Sequence, residues 1–352
     1  MEREVWVGKR LGKDLVKKEL GISASLENNE LPRVIDDVIA KGGLKLYINF
    51  YSLFSLDGEF KKLLTPFLNS LKDFSPNHQI IDVSHLIGRL RKVKTDYEIA
   101  QIRRAVDITV KAYKESIRYV KPGLYEYEIQ SILENYYRKN SCGNAFYPIV
   151  ASGSNACTLH YEINSDKLRE NDLLLIDSGA EYKYYNADIT RTIPINGSFN
   201  SEQKIIYDIV LRANKECIKK IKPGVKLTYL KKFTKEFLAK EMIKIGLIKN
   251  KKDIIKYYMH SVGHHLGLDT HDAVPLVESS YGDNDSLKPG NVITIEPGLY
   301  LPETDRKLPS KFRGIGVRIE EDILVTNNGH KILTSSLSKE INEIQSMMKG
   351  II

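Results

Sequence analysis

Apolar residues recur with a helical period across residues 94–120, where Ile99, Ile102, Val106, Val110 and Ile117 fall on one face. Thr95, followed three residues later by Glu98, reads as the capping box that opens this helix, and Pro122-Gly123 ends it. Upstream, LKLYINFYSL (44–53) and HQIIDV (78–83) read as strands, and residues 58–74 read as a helix. Downstream, DLLLIDSGAEYKYYNADITRTIPING (172–197) predicts a hairpin: an apolar run, a polar Gly/Tyr/Lys turn, then alternation through Ile189 and Ile193. NVITIEPGLYL (291–301) and GVRIEEDILVT (316–326) predict two more strands. Within HSVGHHLGLDTHD (260–272), Val262, His264, Leu266 and Leu268 alternate as a strand would, which points His264 one way and His265 the other.

The pattern also repeats. AYKESIRYVKPG (112–123) lines up with ANKECIKKIKPG (213–224) at an offset of 101 residues, with Lys-Pro-Gly at the same phase in both. That period is too long for a solenoid, so two duplicated helix–turn–helix halves are expected. Strands alternating with long helices, together with the repeat, predict an α+β fold with helices packed on a sheet. A domain boundary is expected near residues 84–94, which makes residues 1–86 a small N-terminal domain and 87–352 the main one.

Composition narrows the class. With 352 residues, 42% of them hydrophobic and 28% charged, the chain reads as globular. No run reaches the roughly 18–20 apolar residues of a membrane helix. The opening MEREVWVGKR has no apolar signal region. Cys142, Cys157 and Cys217 form no CxxC pair, which fits a reducing cytoplasm. The net charge is +8, and lysines crowd residues 215–256 between apolar residues. An amphipathic surface helix with a solvated lysine face is the expectation there, rather than a nucleic-acid site.

The chemistry lies in the second half. Asp177, Asp188, His264, Glu296 and Glu320 each sit in an apolar, strand-like run, where a charge is costly unless it is paired or bound to a cation. The hairpin brings Asp177 and Asp188 close across a ladder, and two unpaired carboxylates there repel unless a cation bridges them. A salt bridge to Arg191 or Arg318 is the plainer alternative for any one of these acids. His260 and His264 have i, i+4 spacing, but Ser261 stands where the HExxH pattern needs glutamate, and Gly263 and Gly267 weaken a helix. Four oxygen donors and one nitrogen suit a pair of divalent ions such as Mn²⁺, Co²⁺ or Zn²⁺. The absence of thiolate ligands argues against a structural zinc site.

The order Asp, Asp, His, Glu, Glu, carried by LLLIDSGAEYKYYNADITRT, HSVGHHLGLDTHD, TIEPGLY and FRGIGVRIEEDI, resembles the pita-bread metallopeptidases: aminopeptidase P, prolidase, methionine aminopeptidase and creatinase. The resemblance covers residues 90–345 and is nearest to aminopeptidase P. It implies a pita-bread α+β fold with a pseudo-twofold internal repeat, preceded by a shortened creatinase-like α/β domain. It implies that Asp177 binds one metal in bidentate fashion, that Asp188 and Glu320 bridge both, and that His264 and Glu296 complete the other site. Glu296 also handles a proton in that scheme. His160 and His271 contact substrate and take part in catalysis, His260 lines the proline pocket, and Arg318 and Tyr300 support the ligands. The implied activity is a cytoplasmic Xaa-Pro aminopeptidase, in which a hydroxide bridging two metal ions, Mn²⁺ foremost, attacks the bond before a second-position proline. The implied assembly is a homo-oligomer, a dimer or tetramer, with peptides as its partners and no membrane. An Xaa-Pro dipeptidase is the alternative enzyme, and a non-catalytic binding protein on the same fold is the alternative of another class.

Overall fold

The computed structural model describes residues 79–272 and 286–350 without a break, residues 11–27 and 45–49, and positions 5, 8, 30, 33, 34, 37 and 40. The chain divides into two compact units, residues 1–85 and 86–352. The helix expected over 58–74, and the end of the strand expected over 44–53, lie outside the described residues.

In the first unit, α1 (Gly12–Leu20) ends at Gly21, whose φ of 65° is left-handed. Strands β1 (Lys45–Ile48) and β2 (Gln79–Asp82) pair in parallel, Lys45 opposite Gln79. Parallel neighbours need a crossover connection, as in an α/β unit.

Helix α2 (Ser84–Lys92) runs across the division at residue 85, and α3 (Asp96–Tyr119) follows in the second unit. The capping box at Thr95 forms as the sequence indicates, with the Glu98 carboxylate accepting from the Thr95 N–H at 2.8 Å. Helix α3 buries Ile102, Val106, Val110 and Ile117, and each such side chain contributes roughly 1.5–3 kcal/mol by leaving water. Helix α4 (Glu126–Lys139) packs beside it. Strands β4 (Ile149–Ser152), β5 (Leu173–Ser178) and β8 (Ile189–Pro194) form one antiparallel sheet in the order β4-β5-β8.

The hairpin expected over 172–197 has two tiers rather than one. Beyond the β5–β8 ladder the chain leaves this sheet and forms β6 (Ala180–Tyr182) and β7 (Tyr185–Asn186), which pair with each other and, through β6, with β3 (Gly143–Asn144). Gly179 makes the switch possible, because a Cβ there would lie 1.7 Å from the Ala187 carbonyl oxygen.

Helices α5 (Ser201–Ile218) and α6 (Leu227–Lys244) begin the second half. The lysine-rich stretch is therefore not one amphipathic helix. Pro223-Gly224 divides it, with Gly224 at a φ of 87°, and a 3-10 turn (Lys251–Lys256) follows α6. The internal repeat is structural as well as sequential. Gly123 N–H donates to Leu168 and Gly224 N–H to Leu287, and the isolated bridges Tyr125–Lys167 and Lys226–Ser286 repeat the same pattern of contacts in the two halves.

Both strands expected near the C-terminus are interrupted. Residues 291–301 form β9 (Val292–Ile295) and β10 (Gly298–Leu301), separated at Glu296-Pro297. Residues 316–326 fall into β11 (Ile315–Arg318) and β12 (Glu321–Thr326), separated at Ile319-Glu320. Pro297 has no N–H to extend a ladder. Strand β9 pairs with β12, which also pairs with β13 (Gly329–Ile332), whereas β10 pairs only with β11. Each glutamate thus occupies a two-residue break in an otherwise continuous antiparallel register, with Ile295 opposite Glu321 on one side and Gly298 opposite Arg318 on the other. Residues 260–272 do not form a regular strand. They run beside β9 through bonds from Leu266 N–H to Val292, Thr294 N–H to His264 and Glu296 N–H to Val262. Gly263 permits this approach, since a Cβ there would meet the Thr294 carbonyl oxygen at 1.9 Å. Helix α7 (Ile341–Met348) closes the unit. Among the described residues, no helix is long and apolar enough to cross a membrane.

Candidate metal centre

Asp177 lies near the end of β5, opposite Thr190 in the ladder, and Asp188 precedes β8 by one residue. Their separation is therefore diagonal rather than directly across. Glu296 and Glu320 arrive from the two strand breaks, and His264 from the segment beside β9. Asp188, His264 and Glu320 each bring one donor atom within 4.8 Å of the others. His264 Nε2 stands 3.4 Å from Asp188 Oδ2 and 3.6 Å from Glu296 Oε1, while its Nδ1 faces the His265 carbonyl at 3.0 Å. Asp177 joins through Arg318, whose Nη2 lies 2.6 Å from Asp177 Oδ2. Asp177 Oδ1 and Glu320 Oε1 are buried without a hydrogen-bond partner.

This concentration of acid is electrostatically unfavourable on its own. Burial, then Asp177, Asp322 and Glu296, push the Asp188 carboxyl well above the usual range. Burial, then Asp188, Glu296 and Asp177, do the same to Glu320. Burial raises Glu296 to about 7, with His264 and Arg318 pulling it back. Arg318 supplies the nearest fixed positive charge and is already committed. It donates from Nη1 to Tyr300 Oη at 2.9 Å and from Nε to Thr190 Oγ1 at 3.1 Å. Carboxylate oxygens without donors, beside an imidazole nitrogen whose partner nitrogen is anchored to backbone, fit the donor set of hard to borderline divalent cations.

These residues form the floor of a cavity of about 530 Å³, and His160, His260 and His271 line it too. The His271 ring lies 4.0 Å from that of His264, centroid to centroid. Burial, then the neighbouring His264 and His160, lower His271 to about 4. His260 Nε2 contacts Tyr300 Oη at 2.8 Å, and Tyr258 meets the His260 ring edge-on at 5.0 Å. Burial, then Arg318, lower His260 to about 3, so its ring is neutral near pH 7. Tyr300 is fully buried behind this wall and does not line the cavity. Of the ten residues singled out from sequence, nine line the cavity, and Tyr300 touches two of them.

Several contributors had escaped sequence reasoning. Thr190 donates to Glu320 Oε2 at 2.7 Å and accepts from Arg318, which ties both to β8. Asp322 accepts from the Asp188 N–H at 3.2 Å. Arg191 pairs with Glu321 at 3.1 Å rather than with Asp177 or Asp188, and its Nη1 donates to the Glu320 carbonyl at 2.6 Å. Alternation along Asp188-Ile189-Thr190 was the available indication for Thr190, since i and i+2 share a face. Glu162, Phe146 and Tyr147 also line the cavity; nothing in their sequence surroundings marks them.

Known proteins share this arrangement of chain. The Xaa-Pro aminopeptidase of Escherichia coli (strain K12) is 33% identical over 360 residues, spanning 98% of this chain and 79% of that protein. The structure of Pseudomonas aeruginosa aminopeptidase PepP superposes with a TM-score of 0.88 at 32% identity, covering 99% of this chain and 80% of that one. Aminopeptidase P from E. coli with the inhibitor Pro-Leu does so with a TM-score of 0.87 at 32% identity, with the same two coverages of 99% and 80%. The α+β pita-bread architecture expected from the resemblance holds across this span. Residues 100–327, which carry the buried acids and the histidine brought together here, match the model of one family. This chain belongs to metallopeptidase family M24.

Proposed function

We propose that the protein is a metal-dependent aminopeptidase that removes the first residue of peptides whose second residue is proline. The observation that carries this reading is the convergence of Asp188, His264 and Glu320 within 4.8 Å on the floor of a histidine-lined cavity. The kinship with Xaa-Pro aminopeptidases supplies the substrate class. Asp177, Asp188, His264, Glu296 and Glu320 hold two divalent cations, Mn²⁺ in our reading. When bound, such a pair supplies an activated water and positive charge for the carbonyl oxygen.

The side chains take the remaining roles. Glu296, on the cavity floor beside His264, accepts a proton from the attacking water and returns it during bond cleavage. His160 on the cavity wall donates to the oxygen of the scissile carbonyl. His271 is neutral at pH 7, so it acts as a hydrogen-bond partner for the leaving proline nitrogen rather than as a charged acid. His260 is neutral too and backed by Tyr258 and Tyr300, which gives an uncharged aromatic wall suited to a pyrrolidine ring. Arg318 keeps Asp177 aimed, through a 2.6 Å contact with its Oδ2.

We place the protein in the cytoplasm, a setting that suits its three free cysteines, Cys142, Cys157 and Cys217. In the same reading residues 1–86 are a creatinase-like domain, residues 87–352 are the catalytic domain, and the working form is a homo-oligomer. Purified protein loaded with Mn²⁺ should cleave Arg-Pro-Pro after arginine, and EDTA should stop it. Cleavage of Gly-Pro alone would make the enzyme a dipeptidase instead. No cleavage of either peptide by fully loaded protein would leave a non-catalytic binding protein.

A further inference from the structure

The two repeated helices differ at one buried position that faces the ligand-bearing strands. Tyr113 on α3 and Asn214 on α5 occupy equivalent places in AYKESIRYVKPG and ANKECIKKIKPG. Both are fully buried. Tyr113 Oη is bonded to the carbonyls of Ile176, at 3.1 Å, and Ile189. Asn214 Nδ2 donates to the carbonyls of Ile295 at 3.0 Å and Ile319 at 3.1 Å. Ile176 precedes Asp177, and Ile189 follows Asp188. Ile295 precedes Glu296, and Ile319 precedes Glu320.

We propose that Tyr113 and Asn214 are duplicated positioning residues, each setting the separation of one carboxylate pair: Asp177 with Asp188, and Glu296 with Glu320. The proposal rests on the two-cation reading of the site given above. A peptide carbonyl shares its plane with the next residue's N and Cα, so holding the Ile176, Ile295 and Ile319 oxygens constrains where Asp177, Glu296 and Glu320 leave the backbone, while the Ile189 carbonyl anchors the residue directly after Asp188. One donor group gripping two carbonyls on different strand segments ties the segments at a set distance. In the second half the ladder is interrupted at these residues: Ile295 faces Glu321 and Gly298 faces Arg318 in one antiparallel register, and Glu296, Pro297, Ile319 and Glu320 lie in the gap between those pairs.

The two residues solve the same problem with different chemistry. A phenol carries a single hydrogen, and Tyr113 sits between carbonyls of two strands already paired in one ladder, Ile176 opposite Arg191 and Ser178 opposite Ile189. An amide carries two hydrogens, and Asn214 spans two segments at the interruption of their ladder. The Asn214 amide is oriented from its other side: Lys339 Nζ donates to its Oδ1 at 2.8 Å and also pairs with Glu321 at 2.8 Å. The NH₂ group is thereby turned toward the two carbonyls.

The test uses the full chain, stripped of metal and titrated with Mn²⁺ by calorimetry, with the electron paramagnetic resonance of the loaded protein as a second readout. Tyr113→Phe removes one hydroxyl, and Asn214→Leu removes both amide donors. Tyr257→Phe, which loses a phenol bond to Asp305 of 2.7 Å away from both repeats, is the control for the loss of any such bond. The wild type and the control should take up two Mn²⁺ and give the spectrum of a coupled pair. Tyr113→Phe and Asn214→Leu should bind at least one Mn²⁺ about 10- to 100-fold more weakly, with the coupling between the ions diminished. Wild-type affinities and an unchanged coupled spectrum in Tyr113→Phe overturn the proposal even if Asn214→Leu does not fold. A wild type that binds no Mn²⁺ overturns the two-cation reading itself, a result distinct from variants that match a two-ion wild type.

Discussion

Arg318 on β11 holds Asp177 on β5 at 2.6 Å, so a strand of the second half fixes a carboxylate of the first. The guanidinium uses its planar fork fully, reaching Asp177, Tyr300 and Thr190 with three different nitrogens. A lysine ammonium keeps the charge but cannot span that fork. Arg318→Lys is expected to lower kcat by about 10- to 100-fold, as loss of a ligand-orienting group does, with the protein still folded by circular dichroism. Wild-type kcat in this variant would show that charge alone, not the fork, is needed.

Asp188 and Glu320 are both pushed upward by burial and by each other's neighbourhood. Removing either acid relieves repulsion in metal-free protein while removing a ligand from the working enzyme. Asp188→Ala and Glu320→Ala should abolish measurable turnover. The closer mimic Glu320→Gln should also stabilise the metal-free chain by about 0.5–2 kcal/mol, the usual scale for relieving a strained site. Chemical denaturation in EDTA checks this; a destabilised Glu320→Gln would mean the acid is satisfied without a cation.

The same electrostatics set a pH dependence for the metal-free protein. Burial raises Glu296 from an ordinary 4.5 to about 7. A carboxyl whose folded value lies above its unfolded one favours the fold while protonated, so its contribution is complete below pH 4.5 and disappears as pH climbs through about 7. Asp188 and Glu320 shift in the same direction. The Tm in EDTA should therefore fall between pH 5 and pH 8, and Mn²⁺ should raise it more at the upper end than at the lower. Thermal scans across that range decide the matter, and a Tm in EDTA that rises toward pH 8 contradicts the assignment.

Asp272, next to His271, is buried and holds Lys94 Nζ at 2.9 Å, with Arg91 on its other oxygen. Gly267 leaves the room for this pair, because a Cβ there would lie 2.4 Å from Asp272 Oδ2. Asp272→Ala strands the Lys94 charge in the interior, and breaking a buried pair in this way costs about 3–5 kcal/mol. Denaturant midpoints should register that loss. A change under about 1 kcal/mol would place the anchor among the weak surface pairs.

How much of this the sequence disclosed depends on whether a feature was local. The α3 helix and its Thr95–Glu98 box were legible because cap and period lie within a few residues. The repeat was legible because Lys-Pro-Gly punctuates both copies, and the four acids and one imidazole stood out because each interrupts an apolar run. The strand breaks at Glu296 and Ile319 were not legible as breaks. Alternation continues smoothly through both, and only a local interruption of the ladder, between the pairs Ile295–Glu321 and Gly298–Arg318 of one continuous register, ends the strands. Thr190, Asp322 and Asn214 act through neighbours more than 80 positions away, or through a backbone atom, so no short window of sequence contains both ends of the interaction.

The central claim is that Asp177, Asp188, His264, Glu296 and Glu320 together hold two divalent cations at one end of a substrate cavity. Anomalous diffraction from crystals grown with Mn²⁺ tests it most directly. Two adjacent peaks, each within coordinating distance of those side chains, are the predicted result. A map with no peak there, or with manganese bound elsewhere on the molecule, would contradict it.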